Sequence, residues 1–244
     1  MALQVYAAGG IVRILIEAFL PHRGLALAPR GLAREAEVRA FAEDEIISDM
    51  EQFYYVRLDA HRAAPRGSRD WVVILILSAT GKYSLHSPDL RGLLGGIEAE
   101  RAAKEGRLDE VIVVAEEAFF GKKNLTGVVR EAEQRASARR QSGPGLGADS
   151  LGGAPFYSAC PYHNFSYVLP ESKIVAPHRV MSAAEVEELL RRERLVFRDL
   201  PIIYTDDPPI VWNGGREGQV VEITRDSQTG GNSLYYRRIE RGPS

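Results

Sequence analysis

The stretch GQVVEITRDSQTGG at 218–231, running on into NSLYYRRIE at 232–240, decides the fold of its part of the chain. Val220, Val221 and Ile223 are β-branched and bounded by glycine, so 218–224 reads as a strand. Gly230 and Gly231 supply a turn, and 234–239 returns as the antiparallel partner. Ser227 and Thr229 can bond their own backbone at this hairpin, while Gly231 can adopt a conformation closed to other residues. Working upstream, Leu200 and Pro201 fix an extended entry to the sheet, and Asp207 before Pro208 favours a turn. Further upstream, Ser182 and Glu185 have the spacing of a capping box, and Val186, Leu189 and Leu190 form the apolar stripe of a helix running to about Arg192. A helix set on a hairpin sheet makes 156–244 a small α/β module.

The module is preceded by SARRQSGPGLGADSLGGAP at 137–155, where six glycines and prolines crowd into 143–153. Such a stretch buries too little to order itself, and as a coil its 19 residues span about 24 Å. It reads as a flexible linker, which leaves 1–136 as a separate unit. There the sequence predicts a helix from Ile11 to Phe19 stopped at 21–24, and a second helix over 33–50 with Val38, Phe41, Ala42 and Ile46 on one face. It also predicts a strand over 53–58, a strand WVVILIL at 71–77 covered on both faces, a helix near 97–107 and a buried strand EVIVVA at 110–115. Strand, helix, strand implies a second α/β sheet, so the whole chain is α+β with two α/β units.

The charge balance bounds the partners. Lys and Arg total 31 against 33 Asp and Glu, so a formal charge of −2 gives no global grip on nucleic acid, and any such contact is local. The single Cys160 excludes an internal disulfide and a thiolate zinc site. The apolar run 11–20 is broken by Arg13 and Glu17, so no membrane helix is expected. The start of the chain lacks the ordered pattern of a signal peptide, and the expectation is a soluble, intracellular protein.

Few residues point to chemistry. His22, His61, His86, His163 and His178 are scattered without ligand spacing, so no metal is expected. Gly92, Gly95 and Gly96, and likewise Asn213, Gly214 and Gly215, lack the Lys and Ser/Thr of a phosphate cradle and read as turns. Asp89, Glu98 and Glu100 are similar to the carboxylates of metal-dependent nucleases, but the Glu-x-Lys that would complete such a site is missing after the 110–115 strand. Lys122 and Lys123 in FFGKKN form a basic pair. Most such pairs are solvated loops; the alternative is a sequence-independent contact to phosphate.

From Lys173 to Ile239 the chain resembles the assembly domain of the fifth common subunit of eukaryotic nuclear RNA polymerases, which has a shorter archaeal equivalent. The resemblance is carried by IVAPHRVMS at 174–182, EVEELL at 185–190, LP at 200–201 with Ile203, DP at 207–208, and the 218–231 stretch followed by Tyr236 and Arg237. It implies a domain that docks on the largest polymerase subunit. By that resemblance His178, Leu200, Pro201, Asp207, Pro208, Gly218, Arg225, Ser227, Thr229, Gly231, Tyr236 and Arg237 are fold or interface residues and none is catalytic. The first unit is similar to the family's eukaryotic jaw domain in layout, with an Arg-Gly at 23–24 and the EVIVVA strand. That domain has a nuclease-like α/β fold without nuclease activity, and the loop after the strand lies toward downstream DNA. Lys122 and Lys123 occupy that location, although FFGKKN replaces the family's usual Thr-Pro-Ser.

Two departures stand out: the family's Val-Pro-x-His is here Val175, Ala176, Pro177, His178, and Glu222 stands where Lys is common. A jaw, a long glycine-rich linker and these departures imply a divergent member from a eukaryote or a large DNA virus. The resulting expectation is a non-catalytic polymerase subunit with no cofactor and no small-molecule substrate. Its partners are the largest subunit, other polymerase subunits and downstream duplex DNA. Its location is the nucleus, or the virion and host nucleus or viral factory if virus-encoded. The rival readings are a metal-dependent nuclease and a regulator that binds polymerase transiently.

Overall fold

After Trp71 six aliphatic side chains follow in a row, leaving no polar face for water, so this segment requires cover on both sides. It is the middle of a five-stranded sheet in the computed structural model, which describes residues 10–28, 55–63, 69–77, 87–103, 106–121, 125–141, 154–227 and 231–242. The strands β1 (Ala26–Leu27), β2 (Tyr55–Ala63), β3 (Arg69–Leu77), β4 (Arg107–Ala115) and β5 (Phe156–Pro161) lie side by side in chain order. β1 and β2 pair antiparallel with their neighbours, whereas β3, β4 and β5 run parallel.

Parallel neighbours need a crossover, and helices supply it. An opening helix, α1, spans 10–22 and is wound as a π-helix over Leu15–Phe19. It closes at Gly24, whose φ of 64° glycine alone adopts without strain. Between β3 and β4 lies α2 (Ser87–Ala102); α3 (Glu117–Gly121) and α4 (Leu125–Gln141) follow β4. Leu90, Leu94 and Ile97 of α2 and Val128, Val129, Ala132 and Ala136 of α4 are buried against Val73, Leu75 and Leu77 of β3 and Val111 and Val113 of β4. The alternate β3 residues Val72, Ile74 and Ile76 are equally inaccessible, as a strand with two covered faces demands.

The second sheet has strand order β6-β8-β9-β7. Its strands are β6 (His178–Val180), β7 (Ile202–Tyr204), β8 (Val220–Ser227) and β9 (Gly231–Glu240), accompanied by α5 (Ala183–Glu193) and α6 (Pro208–Asn213). Period-two alternation splits β8 between two cores: Val221 and Ile223 pack with Ile203, Ile210 and Ile239, while Val220 packs with Met181, Leu189 and Leu200.

Several expectations change. The chain divides at Ser166 and Tyr167, not at 155 and 156. Phe156–Pro161, expected to start the second unit, completes the first sheet by pairing with Glu110 through Ala115. The expected linker 137–155 loses its first five residues to α4, which continues to Gln141, and β5 begins at Phe156, directly after its expected end; 142–153 and the expected helix over 33–50 lie outside the described residues. The helix near 97–107 starts ten residues earlier, at Ser87, and ends before Gly106, so Gly92, Gly95 and Gly96 are helical and not turns. A Cβ on any of the three would meet nothing within 4 Å; they line open space while the 90, 94, 97 spacing carries the packing. Similarly, Asn213 and Gly214 end α6, whose Trp212 is fully buried, and do not form a polar loop.

Candidate interaction face of the second unit

The described residues singled out around 218–237 gather on one small sheet, and several of their polar atoms hold it together. Ser182 caps α5 as its spacing implies: its backbone N–H donates to Glu185 Oε2 at 2.7 Å, and its hydroxyl accepts from the Glu185 amide at 3.4 Å. The Ser182 backbone N–H, then its hydroxyl, then Arg179 hold the Glu185 carboxyl down at about 2. Arg179 also donates to Glu222 at 3.1 Å, directly across the β6–β8 pair. Glu222 is thus one half of a cross-strand charge pair.

Leu200 is buried and Pro201 follows it in extended chain. Their carbonyls accept the Arg238 Nε at 2.9 Å and the Arg238 amide at 2.9 Å. Arg237 donates to the Ile202 carbonyl at 3.0 Å. Asp207 closes a turn and opens α6: its amide donates to the Tyr204 carbonyl at 3.2 Å, its carboxylate accepts the Tyr204 amide at 3.1 Å, its carbonyl accepts from Ile210 and Val211, and Pro208 takes the first helical place. Gly218 at φ 84° donates to the Ile239 carbonyl at 3.0 Å, and Gly231 at φ 75° opens β9 opposite Ser227. Thr229, Lys122 and Lys123 lie outside the described residues.

His178 sits opposite Ile223 on the half-buried edge strand β6, and its Nδ1–H donates to the Ala176 carbonyl at 2.6 Å. Burial lowers its proton affinity below the ordinary imidazole value; Arg225 and Arg237 lower it further, against the Ala176 bond and Asp207, which raise it. The displaced proline still serves the edge, since the Pro177 carbonyl accepts the Thr224 amide at 3.0 Å.

At the hairpin end the sheet outruns its cover. Leu234 is 51% and Tyr235 47% exposed. The exposed Arg225 stacks its guanidinium 4.9 Å from the Tyr235 ring centroid. Tyr236, by contrast, packs beneath α5 with Leu189 and Val220. Arg225 and Tyr235 meet because residues diagonal across an antiparallel pair approach each other, with Ile223 opposite Tyr235 and Arg225 opposite Ser233. The sequence motif includes Arg225 but not Tyr235 or Leu234; the signal that could find Tyr235 is the alternation that buries Tyr236 and so turns its neighbour outward. The hairpin end therefore exposes Arg225 and Tyr235 on one face and Leu234 on the other, and arginine and aromatics dominate the centres of protein interfaces.

In the first unit the carboxylates of the nuclease reading are engaged with protein. Glu98 accepts the Tyr157 hydroxyl at 2.6 Å and Glu100 accepts Arg57 at 2.6 Å. Among the described residues no three His, Cys, Asp or Glu side chains gather as a metal site, and no helix is long and apolar enough to cross a membrane.

Comparison with known proteins bears on both units. The family model of the RNA polymerase Rpb5 C-terminal domain matches residues 168–239. The DNA-directed RNA polymerase RPB5 homologue of African swine fever virus (isolate Tick/Malawi/Lil 20-1/1983) is 32% identical over 170 residues, covering 70% of this chain and 73% of the viral one. The DNA-directed RNA polymerase subunit Rpo5 of Thermococcus celer is 43% identical over 67 residues, 28% of this chain and 82% of its own. That of Nitrosopumilus maritimus is 36% identical over 72 residues, 30% of this chain and 87% of its own.

Proposed function

The chain belongs to the RPB5 family of DNA-directed RNA polymerase subunits, and from that premise we propose that it is a non-catalytic member of the enzyme, anchored on the largest subunit by its second unit. Other polymerase subunits are its partners. The observation that carries the anchoring is the contrast at the hairpin: the motif's hydrogen bonds turn inward to build the sheet, while Arg225, Leu234 and Tyr235 stand exposed at its end. Interfaces of this kind draw most of their strength from a few aromatic and arginine side chains. Nucleotide addition then belongs to the large subunits, and this chain contributes shape and position. Replacing Arg225 with Glu and Tyr235 with Ala together is expected to lower recovery of the largest subunit with the tagged chain about tenfold or more, with circular dichroism unchanged; full recovery would remove the hairpin from the interface.

In this reading the first unit is a jaw beside downstream duplex DNA, with Lys122 and Lys123 contacting phosphate. The described residues that follow β4 and begin α3 in the same part of the chain are acidic, Glu116 and Glu117, so the phosphate contact falls to the lysines. Lys122→Ala with Lys123→Ala is expected to weaken downstream DNA retention by the assembled enzyme and to reduce its salt dependence by about two counterions. An unchanged salt slope would withdraw the assignment. The enzyme operates in the nucleus if cellular, or in the virion and host nucleus or viral factory if virus-encoded.

A further inference from the structure

Helix α5 ends on a residue that its backbone disfavours. Arg194 adopts the left-handed conformation, φ 55° and ψ 38°, where glycine is the usual occupant because it has no Cβ to crowd the chain. Among the described residues it is the one side chain other than glycine at positive φ. The left-handed residue closes the helix through its amide on the Leu190 and Arg191 carbonyls. Glycine would close it with less strain and the Arg194 side chain adds no bond to the described residues, which points to a use for that side chain outside the fold.

The turn that follows is held firmly yet faces water. The Leu195 amide donates to the Leu190 carbonyl at 3.0 Å, the Val196 amide to Asp199 Oδ2 at 3.0 Å, and the Asp199 amide back to the Val196 carbonyl at 2.9 Å. Despite that bonding, Val196 is 62% and Leu195 39% exposed. The arginines around them divide into two sets. Arg191 pairs with Glu188, and Arg192 with Glu193 at 2.9 Å. Arg194 and Arg198 flank Val196 and are exposed, and their side chains make no hydrogen bond or ion pair with the described residues. The nearby acids are already engaged: Glu188 and Glu193 in those pairs, Asp199 on the Val196 amide.

We infer that the 194–198 turn is a docking site for an acidic segment of another protein, one that carries an apolar side chain between carboxylates. Each free guanidinium presents a planar fork that takes a carboxylate through two hydrogen bonds. The bonded turn fixes the backbone of Val196, which lies between them in the chain, so a partner covering it costs this chain little conformational freedom. A nucleic-acid backbone would use the arginines and leave Val196 and Leu195 in water, so the apolar centre selects polypeptide. This surface involves neither the hairpin nor its motif residues.

The test uses the full chain and a fluorescein-labelled peptide in which Asp and Glu flank Leu and Phe, read by anisotropy at low and physiological ionic strength, with a duplex DNA of equal charge as competitor. The unaltered chain is expected to bind the peptide. Arg194→Gly together with Arg198→Gln is expected to weaken it about tenfold or more, and Val196→Asp to do the same by placing like charge at the apolar centre. Arg194→Gly suits the left-handed backbone, so its melting temperature should be equal or higher, and lost binding cannot be ascribed to unfolding. The inference is overturned if the peptide fails to bind at low salt, if either variant binds as the unaltered chain does, or if DNA competes as effectively as unlabelled peptide. No polymerase is present in the assay, so its outcome is separate from that of the hairpin experiment.

Discussion

Arg23 and Glu110 show how much a single pair can carry. The Arg23 guanidinium donates to Glu110 Oε2 at 2.7 Å, and each side chain is 4% exposed. Burial works against the charge on Arg23; Glu110, and more weakly Asp109 and Cys160, more than offset it. The guanidinium also lies 5.5 Å from the Phe19 ring centroid, while its second terminal nitrogen is buried with no hydrogen-bond partner among the described residues. A buried pair adds little over well-packed apolar residues, yet breaking it strands a charge. Arg23→Met is therefore expected to lower stability to denaturant by about 3–5 kcal/mol, and adding Glu110→Leu to restore most of it. A loss in the single variant below about 1 kcal/mol would show that Glu110 finds water or another partner. The Arg-Gly at 23–24 and the strand EVIVVA are both legible in the sequence, but their meeting is not: 87 residues separate them, and no periodicity reports a long-range ion pair.

At the scale of elements, legibility follows the kind of signal each one carries. The capping box of α5 and the β8–β9 hairpin are readable because caps, alternation and turns are local chemistry. Helix α2 escapes such a reading because its three glycines look like breakers, whereas its packing requires only the Leu90, Leu94 and Ile97 stripe. Strand β5 falls on the wrong side of the expected boundary because a glycine-rich run precedes it; parallel pairing with β4 is a tertiary fact. Glycine has another meaning after α6. Gly215 is buried, and a Cβ there would lie 2.7 Å from Ile239 Cδ1 and 2.8 Å from Ile210 Cγ2. Both isoleucines are fully enclosed, so neither can move into free space. Gly215→Ala is expected to destabilise the second unit by about 1–3 kcal/mol, measured by urea unfolding. A neutral outcome would mean that the core around Ile210 and Ile239 yields more readily than its burial implies.

For the whole molecule, a chain with formal charge −2 holds DNA poorly by itself, and Gly218, Arg237 and Arg238 spend hydrogen bonds on building the second sheet. Both properties suit a component whose work is done in company. The motif residues of the second unit are legible because the turn, cap and LP–DP chemistry that builds the sheet is written in short sequence patterns. The exposed Tyr235 and Leu234, and the Arg194–Arg198 turn, are not, because exposure depends on where α5 and α6 stop covering the sheet. The most direct measurement is purification of the tagged chain from cells that express it, with washing at high salt and quantification of what remains by mass spectrometry. The expected result is the largest RNA polymerase subunit at one copy per chain, together with the other subunits, after the salt wash. Recovery of the chain alone, or of polymerase only at low salt and below one copy, would contradict an integral subunit and leave a transient binder in its place.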